Sequence, residues 1–381
     1  FDKKILDKPA SFGNAGWLSS TSVVPVLTPG ILPQIPKMLF SKYGPLFLRF
    51  PGWIFMIPWL LKYLSFSSEE KIDHIAQNLK PLTIDTVSMH KKLSLSTKAS
   101  RWIKESSFFY IYKNKIDYDN DYSWIIRKKF GYQWKETGLS EIQNIYPDLD
   151  GDYKFGIRLD NVGYIANSMQ YLSDLVDEVK KLGGTIIEDE VNDIEENENN
   201  LNVITKNLKN YQFDKCAITC GVFSNKLAKK FGSTVEVQSE RGYHVEFENP
   251  NIHLQFPIMN AFMKFGITPM DTGLRFAGLV EFGSLNNQPS EKAFKKIISN
   301  AHEMFPKLSY SKIKKWSGHR PATADSLPVI GQSPSSNKVF FGYGHQHIGL
   351  TTGPKTGELL SKNILQDNDT PSLESYRGNR F

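Results

Sequence analysis

Apolar positions in the second half of the chain predict a helix followed by sheet segments. Between residues 164 and 181 they recur at helical spacing, and Lys180, Lys181 and the glycine pair 183–184 predict the end of that helix. Alternating or short apolar segments around a polar turn at 196–201 predict a small sheet, with strands at 185–188, 191–194, 202–205 and 214–219. Later segments predict an antiparallel sheet from 242–247 and 274–282, and a helix at 290–304.

The C-terminal quarter predicts a ligand-binding turn. A strand at Val339–Phe341 runs into a glycine-rich stretch from Gly342 to Gly349, and a helix is predicted from Thr356 to Leu365. A glycine-rich turn between a strand and a helix lets backbone N–H groups approach a ligand, with the positive helix end aimed at it. Just upstream, Arg320 is a fixed cation among glycine and proline residues. These two segments are therefore the first candidates for a cofactor and substrate site.

Composition is that of a large enzyme rather than a nucleic-acid-binding protein. The chain has 381 residues, a soft indication of two domains, and 46 basic against 40 acidic residues give a net charge of only +6. Basic residues are interleaved with acidic ones, so no nucleic acid is expected as a partner. Cys216 and Cys220 flank a predicted buried strand and lie too far apart for a disulfide, which predicts reduced thiols and a cytoplasmic location.

The apolar segment 50–61 has two interpretations. It is too short to cross a bilayer and two prolines interrupt it. One interpretation is a buried helix and turn. The other is a peripheral membrane patch in which Trp53, Trp59 and Tyr63 lie at the headgroup level, flanked by cations such as Lys62. The second would suit an enzyme that delivers electrons to a membrane quinone.

Five segments, in order, resemble the D-amino acid oxidase/dehydrogenase family of FAD-dependent oxidoreductases. They are Ser11–Leu18, Thr219–Ser224, Glu240–His244, Gly318–Gly331 and Gly344–Gly349. The resemblance implies a mixed α/β fold in which a Rossmann-like FAD-binding domain is interleaved with an antiparallel-sheet substrate domain. The implied FAD domain comprises residues 1–40, 155–235 and 316–381, and the implied substrate domain comprises 41–154 and 236–315.

The N-terminus departs from the family pattern. Such a protein is expected to open with a strand, a Gly-x-Gly-x-x-Gly turn and a helix that hold the FAD pyrophosphate, but this sequence begins Phe1-Asp2-Lys3. Asp2 resembles the acidic residue that binds the adenosine ribose, so we expect roughly 30 residues of the natural unit to precede Phe1. The alternative is that the chain is complete and Asp2 is a surface carboxylate.

The resemblance also implies catalytic roles. Arg320 matches the family's arginine for the substrate carboxylate, which its planar guanidinium suits; the alternatives are a surface ion pair and an arginine that packs on the flavin edge. Tyr243 is a weaker candidate for a second carboxylate contact, with a core tyrosine as the alternative. His347 matches a turn position that faces the substrate, where it would contact the amine or cap the turn. No metal site is expected.

The cofactor set is carried over from the same resemblance, with noncovalent FAD expected because neither cysteine lies near the C-terminal signature. Asp2 and Lys3 would lie at the ribose, Val191 at the adenine side, and Gly221 where the chain passes the cofactor closely. The residues expected along the flavin are Ser11, Asn14, Ala15, Gly16, Trp17, Gly344, His345, Gln346, His347, Ile348, Gly349, Leu350 and Thr351.

Three functions remain open from the sequence. The first is a D-amino acid dehydrogenase that passes electrons to a quinone or another carrier. The second is an oxygen-dependent oxidase of glycine, sarcosine or another secondary amine. The third is a binding protein or inactive remnant without the dinucleotide loop. The apolar segment 50–61 favours the first over the second.

Overall fold

The computed structural model describes residues 1–4, 7 and 9–381. The strands are β1 Trp17–Leu18, β2 Leu46–Leu48, β3 Ile103–Tyr112, β4 Lys135–Gly138, β5 Phe155–Ile165, β6 Val191–Glu196, β7 Leu201–Thr205, β8 Asn210–Phe213, β9 Cys216–Ile218, β10 Val237–Glu248, β11 Ile258–Asn260, β12 Phe265–Met270, β13 Gly273–Phe282, β14 Lys312–Thr323, β15 Val329–Gln332 and β16 Val339–Tyr343. The helices are α1 Ile35–Phe40, α2 Ile57–Leu64, α3 Glu69–Thr83, α4 Thr86–Leu93, α5 Lys115–Asp119, α6 Tyr122–Lys129, α7 Leu139–Ile145, α8 Ser168–Lys181, α9 Ser224–Lys230, α10 Glu291–Met304 and α11 Gly349–Leu365.

A large sheet dominates the mixed α/β fold. Its order is β1-β5-β3-β11-β12-β13-β10-β14, with β4 added beside β5 and β2 added beside β13. The predicted antiparallel pairing of 242–247 with 274–282 is confirmed, because β10 and β13 pair antiparallel throughout this region. The sheet is not purely antiparallel, since β3 with β11 and β2 with β13 are parallel pairs. The predicted helix at 290–304 is α10, which packs its apolar side on this sheet.

Two smaller sheets are formed by segments that were expected to belong to the FAD domain. One has the order β15-β16-β9 and the other β6-β7-β8. Cys216 begins β9, and Cys216 and Cys220 are both free thiols. The predicted strand at 185–188 is wrong, because among the described residues only Glu188 pairs there, in an isolated parallel bridge with Asp2.

Two predicted helix boundaries are also wrong. Tyr164 belongs to β5, where it pairs with Trp17 of β1 and Lys104 of β3, so the ladder extends into the region expected to be helical. The helix α8 begins only after Asn167, whose side chain accepts a hydrogen bond from the Gln170 N–H and caps it. The helix after the C-terminal turn begins earlier than predicted, since α11 begins at Gly349 rather than at Thr356.

The strand assignments bear on the expected domain boundaries. The large sheet contains β5, although residues 155–165 were expected with the FAD domain. It also contains β14, although residues 316–323 were expected there as well. The expected boundary at 315/316 falls inside β14, whereas the one at 154/155 falls just before β5. The division into two domains stays a prediction.

The strand β10 has an apolar face and a polar face because side chains alternate along a strand. Tyr243, Val245 and Phe247 belong to the core beneath α10. Glu240, Gly242, His244 and Glu246 occupy the other positions of the alternation, and all four are buried. A buried polar face on a strand requires partners that satisfy it. Those partners are the residues of the candidate site.

The segment 50–61 is partly core and partly exposed. A 3₁₀ turn, Gly52–Met56, leads into α2, and Met56 and Trp59 are buried. The Trp59 indole donates a hydrogen bond to the Glu236 carbonyl at 3.1 Å, so the expectation that Trp59 lies at a headgroup level is wrong. Phe55 on the opposite side is 81% exposed. Within the described ranges, no helix has both the length and the apolar character needed to cross a bilayer.

His90 of α4 ties the start of α11 to α8. Its Nε2 lies 2.8 Å from the Leu350 carbonyl oxygen and its Nδ1 lies 2.7 Å from the Tyr171 hydroxyl. A carbonyl only accepts, so Nε2 carries the proton and the neutral Nδ1 accepts from Tyr171. Burial lowers the pKa of His90 to about 4, although the bond to Leu350 acts in the opposite direction. The ring is therefore neutral near pH 7.

We expect His90 to make stability fall as the pH falls. Its pKa is depressed in the folded chain, so the unfolded chain binds more protons between about pH 6.5 and 4. From pH 7 to pH 5 the free energy of unfolding should decrease by about 2 kcal/mol through this residue. His90→Gln should lower stability at pH 7 and flatten that decrease, as measured by denaturant unfolding. His74→Gln, at an exposed position, is the control; an equal flattening there would contradict the assignment.

Candidate active site

A buried ion pair fastens residues 12–14 to the polar face of the large sheet. Arg275 of β13 contacts Glu246 of β10 through Nη2 at 2.8 Å and through Nε at 2.9 Å. The same guanidinium donates to the Phe12 carbonyl at 2.9 Å and to the Asn14 carbonyl at 2.8 Å. A buried guanidinium with a carboxylate and two carbonyl acceptors is satisfied, whereas removal of one charged partner is costly. The pair therefore fixes the path of this segment.

Gly13 lies flat against the Trp316 indole. A Cβ added to Gly13 would lie 2.0 Å from that ring, and the ring itself stacks on His244 at 5.3 Å between centroids. His244 Nδ1 donates to the Gly13 carbonyl at 3.0 Å. A few residues on, the Thr268 hydroxyl donates to the Ala15 carbonyl at 2.7 Å. Residue 13 is a glycine because the backbone approaches the indole this closely.

The segments 11–17 and 344–351 meet directly. Asn14 donates from its amide to the His347 carbonyl at 3.1 Å, and its Oδ1 accepts from the Gly16 N–H at 2.8 Å. Thr351 donates to the Trp17 carbonyl at 3.0 Å. The two segments that the sequence singled out at opposite ends of the chain therefore form one surface.

The turn before α11 presents backbone and neutral histidine to that surface. Gly344 has φ +83° and Gln346 has φ +47°, and the Gln346 N–H donates to the Pro321 carbonyl at 3.0 Å. Burial lowers the pKa of His345 to about 4, and its Nε2 lies 2.9 Å from the Thr356 hydroxyl. No side chain caps the N-terminus of the 17-residue α11. Its first N–H groups and its positive end are available to an electron-rich ligand edge.

Arg320 of β14 lies on the polar face of β10. Its Nη1 donates to Glu240 at 2.9 Å and to the Leu279 carbonyl at 3.2 Å. The guanidinium covers Gly242, where an added Cβ would lie 2.5 Å from its Nη2. An arginine carries five N–H donors, so the two bonds to Nη1 leave the Nε and Nη2 edge for a carboxylate. The Arg320 side chain is 21% exposed, whereas that of Glu240 is 2% exposed.

A bulge aims the Leu279 carbonyl at Arg320. The pairing of β10 with β13 shifts register between Arg241 and Tyr243, and Leu279 has φ +56°. A leucine in the left-handed region is strained, and bulges re-aim backbone groups next to functional sites. The strained residue supplies one of the acceptors that hold Arg320 in place.

Two buried polar atoms near Glu240 have no hydrogen-bond partner within the described chain. They are the Tyr63 hydroxyl and His347 Nδ1. Burial, and secondly the charge of Glu240, raise the pKa of Tyr63 well above its usual value. Burial lowers the pKa of His347; Glu240 opposes this shift and Arg320 adds to it. Unpaired buried polar atoms are costly, so these atoms point to a ligand.

Tyr243 is not brought together with Arg320. It belongs to the core face of β10, and its hydroxyl donates to Glu281 at 2.8 Å and accepts from the Ser290 N–H at 3.0 Å. Its ring packs edge-on against Phe294 of α10. Both hydrogen bonds of the Tyr243 hydroxyl are made on the other side of the sheet. The structure therefore favours a core tyrosine over the predicted second carboxylate contact.

The residues expected at the nucleotide end lie apart from this cluster. Asp2 donates its N–H to the Ile187 carbonyl at 3.1 Å, and its carboxylate accepts from the Lys4 N–H at 2.9 Å. Lys3 is exposed near Glu190. Val191 begins β6, and Gly221 has φ +57° with open space where a side chain would be. Ser11 is half-buried at the start of the flavin-side segment.

Sequence reasoning did not identify Tyr63 and Glu240 as site residues. The signal for Glu240 was present in the alternation of β10, where residues 240, 242, 244 and 246 share one face while the apolar residues occupy the other. Tyr63 lies in a helix distant in sequence, and nothing in its local pattern indicates that its hydroxyl points to Glu240.

Several solved structures share this architecture. A glycine oxidase from Geobacillus kaustophilus superimposes with a TM-score of 0.71 at 18% identity, covering 80% of this chain and 84% of that chain. An L-alpha-glycerophosphate oxidase from Mycoplasma pneumoniae with FAD bound superimposes with a TM-score of 0.66 at 13% identity, covering 98% and 88%. At these identities the likeness establishes the fold alone.

Sequence comparison establishes the family. The model of the DAO family, described as FAD dependent oxidoreductase, matches residues 1–363. A D-amino-acid oxidase from Bradyrhizobium diazoefficiens is 31% identical over 98% of this chain and 90% of its own length. A D-amino acid dehydrogenase from Vibrio atlanticus is 23% identical over 93% and 86%. The chain belongs to the DAO family of FAD-dependent oxidoreductases, and its cofactor is FAD.

The residues present fit this cofactor. The uncapped start of α11 and the neutral His345 suit an electron-rich ring edge, because both offer positive potential or donors without a competing anion. The open space at Gly221 leaves room for a ligand beside that turn. The orphaned His347 Nδ1 belongs to the same turn, and the charge of Arg320 acts on it.

We expect Gly13→Ala to disturb cofactor binding. The added Cβ would collide with an indole that stacks on His244 and cannot withdraw easily. Flavin absorbance per mole of the natural protein should fall at least several-fold, and the melting temperature should fall with it. Gly138→Ala, where a Cβ meets nothing within 4 Å, should leave both unchanged. Full flavin content in Gly13→Ala would contradict the close packing of this segment.

Proposed function

We propose that the protein oxidises the CH–NH2 group of a D-amino acid with FAD and passes the electrons to a quinone or another carrier. The observation that carries the proposal is Arg320, whose Nη1 is held by Glu240 and the Leu279 carbonyl, so that these bonds leave its Nε and Nη2 donors for a ligand. A carboxylate is the ligand that such an edge binds bidentately. The names of the two curated relatives support a D-amino acid as the class of substrate.

The chain's residues position the substrate and exclude water. Arg320 binds the carboxylate, and its bonds to Glu240 and Leu279 prevent the guanidinium from swinging away. FAD, when bound, would supply the acceptor for the hydride that leaves the carbon carrying the amine. His347 is neutral because of burial, so it can accept a hydrogen bond at Nδ1 from the substrate amine without charge repulsion. Fixing the reacting carbon in this way accounts for a large part of such catalysis.

We expect Arg320→Ala to reduce kcat/KM for D-amino acids by at least ~10²-fold, about 3 kcal/mol of lost charge-assisted bonding. Arg320→Lys should recover only part of this loss, since a lysine keeps the charge but not the fork. The measurement is steady-state kinetics on the holoenzyme with dye as acceptor, together with flavin content, which should persist. Arg377→Ala, a surface arginine paired with Glu374, is the control. Normal turnover in Arg320→Ala would mean that the carboxylate binds elsewhere.

An exposed apolar surface favours a membrane acceptor. Phe50, Phe55 and Leu61 are 77%, 81% and 63% exposed. Lys62 follows Leu61 in α2, whereas Phe50 and Phe55 precede this helix. We define these residues as the α2 surface patch. Exposed apolar groups with a flanking cation are typical of peripheral contact with a lipid surface. The proposal therefore places the protein peripherally on a membrane, where a quinone would be reached.

We expect the double change Phe55→Ser and Leu61→Ser to release the holoenzyme from anionic vesicles. Apolar area contributes about 25 cal/mol per Å², so the loss of two such side chains should weaken binding by a few kcal/mol. Dye-linked activity should persist because both side chains point away from the site. Leu182→Ser with Leu208→Ser, exposed at 80% and 83%, is the control. Unchanged sedimentation with vesicles would remove the support for a membrane acceptor.

A second candidate is an oxygen-dependent oxidase. Its support is the name of the Bradyrhizobium relative, a D-amino-acid oxidase. Anaerobic flavin bleaching with a panel of D-amino acids, glycine and sarcosine identifies the substrate, and oxygen uptake compared with quinone reduction separates the two acceptors. A flavin-loaded protein that no amino acid reduces would instead favour a binding protein.

A further inference from the structure

The substrate-binding arginine is neutralised before any substrate arrives. Arg320 donates to Glu240 at 2.9 Å, and Glu240 is 2% exposed. A buried carboxylate beside a carboxylate-binding arginine is unexpected, because it competes for the same guanidinium charge. Its position is fixed, since Glu240 pairs with Arg320 across the β10–β14 ladder.

The neighbours of Glu240 include two polar atoms that have no partner among the described residues. The Tyr63 hydroxyl and His347 Nδ1 are buried, and both feel the charge of Glu240. Tyr63 stacks on Trp59 at 4.9 Å between centroids, so its ring is held in place without help from its hydroxyl. The hydroxyl therefore adds nothing to packing and lies where a donor from a ligand would satisfy it.

The net charge of the site decides which ligands it accepts. An Arg–Glu pair is neutral, and a zwitterion added to it leaves a neutral set of charges. A carboxylate without an ammonium group leaves one uncompensated negative charge in a buried site, which is costly. Without the Glu240 charge the preference between the two ligands reverses, because a carboxylate without an ammonium group then neutralises Arg320.

We propose that Glu240 determines ligand charge at this site: paired with Arg320, and with the Tyr63 hydroxyl on the ammonium side, it admits zwitterionic amino acids and rejects carboxylates that lack the ammonium group. The inference rests on the proposed function, since it takes Arg320 as the carboxylate anchor. One consequence concerns product. Oxidation of the amine to an imine removes a hydride, for which FAD would be the acceptor, and a proton, which goes to solvent; water then hydrolyses the imine to ammonium and a 2-oxo acid, whose single negative charge the site disfavours. Glu240 thereby promotes product release.

The test uses two ligands of nearly the same shape that differ in the ammonium group. They are 2-aminoisobutyrate, a zwitterion without a hydrogen on the α-carbon and so not oxidisable by hydride transfer, and isobutyrate. Titration calorimetry on the holoenzyme should show at least tenfold tighter binding of 2-aminoisobutyrate. In Glu240→Gln this ratio should fall by at least tenfold, mainly because isobutyrate binds more tightly. Glu236→Gln, an exposed residue of the same segment, should keep the wild-type ratio.

A second variant guards against a folding defect in Glu240→Gln. Tyr63→Phe removes a hydroxyl that makes no hydrogen bond within the described chain, so it should fold at least as stably as the wild type. It should weaken binding of 2-aminoisobutyrate at least threefold more than binding of isobutyrate. Equal effects on the two ligands in Tyr63→Phe, or an unchanged ratio in folded Glu240→Gln, would overturn the assignment.

The outcome also separates this inference from the proposed function. A wild-type holoenzyme that oxidises D-amino acids but binds both ligands equally would overturn charge selection alone. A holoenzyme that binds neither ligand and oxidises no amino acid would overturn the proposed function and the role of Glu240 together.

Discussion

The site depends on charges buried along one face of β10. Glu246 pairs with Arg275 and Glu240 pairs with Arg320, so one strand carries the carboxylates of two ion pairs on its polar face. The first pair fixes the backbone at residues 12–14, and the second holds Arg320, the proposed carboxylate anchor. Such pairs cost more to break than they contribute when formed, because a lone buried charge remains. They specify one arrangement of the N-terminal segment and the sheet.

Much of the site could be predicted from sequence because its parts are local motifs. The glycine-rich turn at 344–349, the segment at 11–17 and Arg320 are each recognisable alone, and the structure brings them together. Their mutual geometry was not predictable, since Asn14 reaches His347 across 333 positions of chain. Tyr63 was missed for the same reason. Its buried hydroxyl without a partner among the described residues results from tertiary packing, which no periodicity of α2 reveals.

The errors in secondary structure have a common physical origin in tertiary pairing. Residues 164–167 have a helical pattern, but Tyr164 is held in β5 by its neighbours in β1 and β3. Residues 185–188 have strand-like composition, yet only Glu188 finds a partner there. Local preferences are weak compared with the ladder that a segment joins or fails to join. The pattern of apolar residues predicts which face of a helix or strand is buried, but it predicts poorly where that element begins and ends.

The helix α2 connects the exposed surface of the protein with the buried surroundings of Tyr63. Its eight residues carry Leu61 on the outer surface and Tyr63 beside Glu240. If a surface binds the outer side of α2 and thereby shifts the helix, it must also change the affinity of the protein for any ligand that contacts Tyr63. Thermodynamic reciprocity then requires that occupancy of the inner side changes the outer affinity by the same factor. One short helix would thus couple attachment to a surface with the loading state of the enzyme.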